Sequence, residues 1–373
     1  MIVHDSTHHL FRAVAAALLA MSTLVGSIEA QESRPTPLHD ADEVAEIRID
    51  GEVVLGALDD PFDLSSLFVQ VDRTSDGSWL VLSRTHERNR IAEYGPEGRF
   101  RGTIGGPGEG PGEFRLLRAF SVLPGDSILA VDFGGEFSVL SRDGQWVRGG
   151  RTGLDPLELV GLGDGRAVAA ANAAAPGFAG FPLHLIDPAS DSDFVVKSLG
   201  SLDGTIDPGA LDLERQRVPV ARALGSERIL SVDRVHYLIE EWSLQGDLYR
   251  SWRKGGSWFE SNSGITGRGA GIRGAAEYDE DRIWVVFSHM DPDERPEPET
   301  PVDQYFGLTD SVVELVDLNE GQVVARAHLP GWSPGFTATG ELILSAQDEL
   351  GMVRLRILEL LPGDAIHRDS PPG

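Results

Sequence analysis

One motif recurs six times along this chain: a turn rich in Gly, Asp or Glu, followed by an apolar run of strand length. It reads DGSWLVL (76–82), GDSILAV (125–131), GDGRAVAA (163–170), SERILSV (226–232), EDRIWVV (280–286) and TGELILS (339–345). A second run follows each, in order RIAEY, FSVLS, LHLID, IEEWS, VVELVD and LRILEL, rich in the β-branched and aromatic residues that strands favour. Turns such as GPEG, RDGQ and LQGD then lead into further strands, among them RFRGTI, WVRGG and LYRSWR. A preceding strand, such as LFVQV (67–71), AFSVL (119–123) or VPVARAL (218–224), completes a unit of four antiparallel strands.

Four-stranded sheets repeated radially close on themselves and hide nearly all of their edges. The expected fold is therefore all-β, a six-bladed β-propeller with four-stranded antiparallel blades. The sixth unit runs out after VRLRILEL without a fourth strand. The N-terminal segment VAEIRIDGEVV (44–54) alternates apolar and polar residues and belongs to no other unit, so it is expected to complete the last blade and close the ring. This places the propeller at 44–361, between a flexible N-terminal segment at 31–43 and a flexible C-terminal tail at 362–373.

Residues 1–30 read as a signal peptide. Arg12 precedes the apolar run 13–26, and the small residue Ala30 stands just before the polar QESRP. An uncleaved anchor is the other reading, although the run is short of the roughly 20 residues that span a bilayer. Cysteine is absent, which excludes disulfides, thiolate metal sites and a lipid attached to cysteine. The expected location is periplasmic or secreted, with no stable membrane insertion once the signal is removed, and the expected state is a monomer. A formal charge of −27 argues against a nucleic-acid partner, because phosphate neutralisation needs clustered Lys and Arg.

The stretch GTIGGPGEGPGEF (102–114) invites a phosphate-loop reading, but no Lys-Ser or Lys-Thr follows it and the glycine spacing misses the dinucleotide fingerprint. It sits between the outer strand of one unit and the inner strand of the next. Its segment Gly108 to Phe114, the later Val131-Asp132 and the earlier Asn89-Arg90-Ile91 resemble the NHL repeat and the related TolB-like six-bladed propellers of bacterial envelope proteins. That resemblance covers about two blades as motif and most of the chain as strand pattern. It implies a six-bladed propeller and no single activity, since relatives include binding proteins and enzymes.

In an antiparallel blade the first and third turns lie at one end of the ring, while the middle loop and the inter-blade crossing lie at the other. The long connections fall in the second set: 84–90, 105–117, 171–181, 201–217, 255–273 and 288–310. Long loops gathered on a rigid scaffold commonly carry function. Ligand-binding residues are therefore expected at the ends of the second strands, namely Asp132, Asn172, Asp233, His289 and Gln347, with Arg84 and His86 in the first unit. Asp and Asn there also cap their own turns, which is the other reading of each. Trp258 is placed either as a stacking platform or as packing between blades, and the acidic, proline-rich 291–301 as a solvated lid or tip.

The expected role is a binding module of the bacterial envelope, for a peptide, a glycan or an envelope protein, with no cofactor. Catalysis stays open. The alternative is a lactonase or gluconolactonase-like hydrolase holding a divalent cation such as calcium over the channel through Asp132, Asn172 and Asp233. HExxH, GxSxG and EF-hand patterns are absent, and SDGSW and SRDGQW read as hairpin turns.

Overall fold

Twenty-four strands and no α-helix make up the described part of the computed structural model, which covers residues 35–57, 59–64, 66, 68–83, 89–171, 182–191, 194–199, 220–224, 227–234, 237–255, 271–290, 309–349 and 351–363. After β1 (Thr36–Leu55), the strands β2 (Val69–Arg73), β3 (Trp79–Ser83), β4 (Ile91–Tyr94) and β5 (Phe100–Ile104) form one antiparallel sheet in chain order. The same order builds a second sheet from β6 (Leu117–Val122), β7 (Ile128–Asp132), β8 (Glu136–Leu140) and β9 (Trp146–Arg151). A third comprises β10 (Pro156–Gly161), β11 (Ala167–Ala171), β12 (Leu183–Ile186) and β13 (Val195–Leu199).

The remaining strands repeat the antiparallel order. They are β14 (Val220–Leu224), β15 (Arg228–Val232), β16 (Leu238–Ser243) and β17 (Leu248–Lys254); β18 (Gly271–Glu277), β19 (Arg282–Met290), β20 (Thr309–Asp317) and β21 (Gln322–Pro330); and β22 (Trp332–Phe336), β23 (Leu342–Gln347) and β24 (Val353–Pro362). These three sets join into one twelve-stranded sheet because β1 pairs with β17, β21 and β24.

The turns are set locally. Asp76 accepts from the Thr74 hydroxyl at 2.6 Å and the Ser78 amide at 3.0 Å, while Gly77 takes a φ of +83° that disfavours any side chain. The same closing backbone bond recurs from Thr74 to Ser78, Ser141 to Gln145, Leu162 to Arg166, Ser243 to Asp247 and Thr337 to Glu341.

Each pair of consecutive sheets encloses its own apolar layer. Leu80, Leu82 and Ile91 of the first sheet pack with Phe120, Ile128 and Leu140 of the second. Further layers follow in turn, and the last returns to the start: Ile343, Leu355 and Ile357 pack with Val69, Val71 and Trp79. The first strands likewise touch in sequence, β2 to β6 to β10 to β14 to β18 to β22, and β22 touches β2. Sheets packed face to face around a closed ring, with first strands innermost, constitute a β-propeller.

β1 differs from its expected extent. It starts at Thr36, so most of the segment expected to be flexible, 31–43, is strand. Thr36–Leu38 run parallel to the end of β17, residues 39–46 run parallel to β21, and Ile47–Leu55 pair antiparallel with β24. The outer edges of β17 and β21 would otherwise present unpaired amides and carbonyls, and β1 satisfies some of them.

Candidate functional site

Chain direction decides which groups meet at each end of the ring. First and second strands are joined by tight turns, as at Thr74–Ser78 and Leu162–Arg166, so the first strands all begin, and the second strands all finish, at the opposite end. The crossings between sheets join strands at that opposite end, here the crossing end. Most of the long connections, 84–88, 172–181, 200–219, 256–270 and 291–308, lie outside the described residues. The crossing 105–116 is described: Phe114 bonds back to Gly106 at 2.8 Å and its buried ring fills the layer between the first two sheets. Gly105, at φ +78°, admits that ring, since a Cβ there would lie 2.6 Å from it.

Asp132 is the structural anchor of this crossing. It finishes β7, almost fully buried, and its carboxylate accepts from the backbone amides of Leu116 at 2.6 Å, Arg115 at 2.9 Å and Phe133 at 2.9 Å. A neighbouring cavity of about 200 Å³ is lined in part by Glu109, Arg115 and Glu136, and Arg115 already pairs with both acids. Of the other expected site residues, Asp233 follows β15 and its amide donates to the Leu238 carbonyl at 2.9 Å. His289 stands opposite Asp310 between β19 and β20, and Gln347 finishes β23, exposed and opposite Val353. Arg84, His86, Asn172 and Trp258 lie outside the described residues, as does 291–301. Among the described residues no group of three or more His, Asp or Glu could hold a metal ion.

A different set of residues meets on the inner strands, which are apolar except for a few positions. Gln70 on β2 donates to the carbonyls of Phe120 at 2.5 Å and Leu159 at 3.3 Å, reaching β6 and β10. Arg222 on β14 pairs with Glu158 on β10 and donates to the Phe336 carbonyl on β22 at 3.0 Å. These side chains tie non-adjacent inner strands together. Glu158 also lies 3.6 Å from Arg234, which follows β15 at the crossing end. Arg118 on β6 forms a two-pronged pair with Asp155 at 2.8 and 3.0 Å.

Arg273 on β18 has another setting. Ile272 stands opposite Phe287 and Gly274 opposite Val286, so Arg273 is the extra residue of a register shift in an innermost strand. Such a bulge re-aims its side chain. The guanidinium lies over the Trp332 ring, 4.0 Å from its centre. Gly274 and Gly335 let β18 and β22 approach closely enough for this, since a Cβ on Gly274 would lie 2.5 Å from the Gly335 Cα. Arg273 has no ion pair among the described residues, and its Nε is buried without a hydrogen-bond acceptor. Burial, and then the positive charge of Arg234, lower the guanidinium to about 9, so it remains charged at neutral pH.

The sequence carried a signal for this cluster: an arginine flanked by small and apolar residues in a first strand, in VARAL and GIRGAAE. Two exposed aromatic rings, Phe68 before β2 and Phe133 after β7, stand at the same end of the ring.

No protein-family model matches the chain, and no curated protein matches it. Solved structures do. A Bacteroides fragilis protein named as a candidate exported protein is 12% identical and aligns over 87% of this chain and 99% of its own, with a TM-score of 0.57. A member of the DUF4221 family from Bacteroides vulgatus is 10% identical over 86% of this chain and 100% of its own, with a TM-score of 0.56. The WD40 β-propeller domain of Doa1 aligns over 84% of this chain and 97% of its own at 12% identity, with a TM-score of 0.43. The first two likenesses concern the fold alone. No helix among the described residues is long and apolar enough to cross a membrane.

Proposed function

We propose that this chain is an exported six-bladed β-propeller of the NHL-like type, and that it works as a binding module of the bacterial envelope. Counting the inner strands β2, β6, β10, β14, β18 and β22 around the closed ring supports six blades. The signal-like N-terminus and the exported name of a structural neighbour support export. The ligand meets the crossing end, above the inner strands.

One observation carries this reading: the two ends of the ring are built differently. The turn end is closed by short, internally satisfied turns, whereas the crossing end gathers the longer connections, two exposed phenylalanines and Arg273 over Trp332. A rigid scaffold that presents variable connections at one end is the usual design of a recognition surface. The test is thermal unfolding of the purified protein against a panel of peptides and oligosaccharides. A ligand at a hundred times its dissociation constant stabilises the fold by about 2.7 kcal/mol. Stabilisation that Phe133→Ala or Arg234→Gln abolishes, and that Asp76→Ala or Asp247→Ala at the turn end leaves intact, supports the reading. Loss confined to the turn-end variants overturns it.

A further inference from the structure

We propose that Arg273, placed over the Trp332 ring, anchors an oxyanion site at the crossing end of the ring, built for a carboxylate or phosphate group of the ligand. The inference rests on the binding-module reading and names the ligand chemistry of that site.

The inner strands supply the comparison. Every other arginine on them has a carboxylate partner: Arg73 meets Glu341 at 3.1 Å, Arg118 meets Asp155 and Arg222 meets Glu158. Arg273 has none among the described residues, and its Nε is buried without an acceptor. A partly buried cation lacking a counter-ion is costly, and contact with an aromatic ring returns only part of that cost. The surroundings deepen the deficit, because the charged group that bears on Arg273 is Arg234, of like sign. A fold that keeps such a group sacrifices stability there, which is the pattern of a functional site.

Geometry selects the anion. The guanidinium carbon lies over the Trp332 ring, 4.0 Å from its centre, and Nε is buried, so the terminal N–H groups are what a ligand can use. That fork matches two oxygens of a carboxylate or phosphate. The register shift at Arg273 and the close approach at Gly274 and Gly335 set the strand that carries this side chain against β22 before any ligand arrives. Arg234, whose charge also bears on Arg273, is partly exposed and paired with Glu158 at 3.6 Å. The chain as a whole is strongly acidic, so a local positive site within it discriminates anionic ligands from general electrostatic attraction.

The experiment uses the purified protein at constant ionic strength, read by thermal unfolding and tryptophan fluorescence. The probes are glycerol phosphate, glutarate, and one set of short peptides prepared with either a free or an amidated C-terminus. The expected result is a saturable response to phosphate or carboxylate that weakens at least tenfold in Arg273→Gln and is only partly restored in Arg273→Lys. Arg118→Gln, whose side chain is already satisfied by Asp155, keeps the response. Without any probe, Arg273→Gln and Arg273→Met melt above the parent, because each removes a partly buried charge that has no counter-ion among the described residues. The relative strength of glycerol phosphate and glutarate identifies the group the site prefers. Equal binding of acid and amide peptides overturns the anion assignment and leaves the binding-module reading standing. Silence from every probe overturns the anion assignment, and silence from the oligosaccharide panel as well overturns both. A response unchanged in Arg273→Gln, or a lowered melting point in both Arg273→Gln and Arg273→Met, also overturns the assignment.

Discussion

Tyr237 donates its hydroxyl to Glu314 Oε2 at 2.6 Å, joining two neighbouring sheets through a carboxylate with no solvent exposure. The other oxygen of Glu314 accepts from Lys254 at 2.7 Å and from Arg326 at 2.6 and 2.9 Å. Both cations also reach Asp40 on β1, at 3.2 and 2.7 Å. Burial alone would raise the Asp40 carboxyl, but the hydrogen bond from Arg326 and the charge of Lys254 outweigh it and hold the group below its ordinary value. The N-terminal strand is thereby fastened by charge as well as by its backbone pairing.

Glu314→Ala should therefore be severe. It leaves Lys254 and Arg326 without their buried partner, and breaking a buried ion pair from one side costs about 3–5 kcal/mol. Urea denaturation measures this. Asp40→Ala, at the half-exposed rim of the same network, should cost no more than about 1 kcal/mol. Equal losses for the two would mean that the buried carboxylate is not the centre of the network.

Asp72 gives a pH signature of opposite sign to ordinary acid denaturation. It is buried, and desolvation raises it from 3.8 to about 6 despite hydrogen bonds from the Val122 and Arg73 amides and the Ser121 hydroxyl. The folded state thus binds the proton more tightly than the unfolded chain. This group's contribution to stability is most favourable below about pH 4 and declines as pH rises through about 6, by about 3 kcal/mol in all. The stability gap between the parent and Asp72→Asn should narrow or reverse across that window and stay constant above pH 7. A gap independent of pH would show that Asp72 ionises normally.

Asp132→Ala strips three backbone amides of their acceptor at the mouth of the second sheet. A loss of about 2–3 kcal/mol is expected, with the response of the Arg273 site unchanged. Abolition of anion binding without loss of stability would return Asp132 to the ligand-contacting role.

Gly274→Ala should cost about 1–3 kcal/mol by forcing β18 from β22, since the new Cβ would meet the Gly335 Cα at 2.5 Å and the Phe336 amide nitrogen at 3.0 Å. Gly102→Ala on β5 is the control. No atom lies within 4 Å of a Cβ there, so chemical denaturation should find it neutral or slightly stabilising.

Much of the architecture was legible because it is written in local chemistry. The run DGSWLVL becomes a turn and β3, GDSILAV leads into β7, and EDRIWVV leads into β19, each through the same pairing of turn residues with an apolar run. The alternating segment at 44–54 also reveals its strand, for there one face packs inward on the last sheet. Its extension back to Thr36 was hidden, because parallel pairing along the edges of β17 and β21 needs neither a hairpin turn nor a clean alternation.

The site was less legible for a related reason. Asp132 and its counterparts at the strand ends are polar whether they cap a turn or meet a ligand, and only the three amides around Asp132 separate the two roles. Arg273 is visible in the sequence as a charge within an apolar strand. Its significance depends on a one-residue register shift against β19 and on Trp332, nearly sixty positions later, whose ring lies under its guanidinium carbon. By itself, the sequence determined the strands, the turns and their repetition, because these follow from backbone preference and side-chain polarity over a few neighbouring residues. Only the tertiary structure decided which charges are partnered, because pairing depends on distances between strands that the chain brings together from far apart.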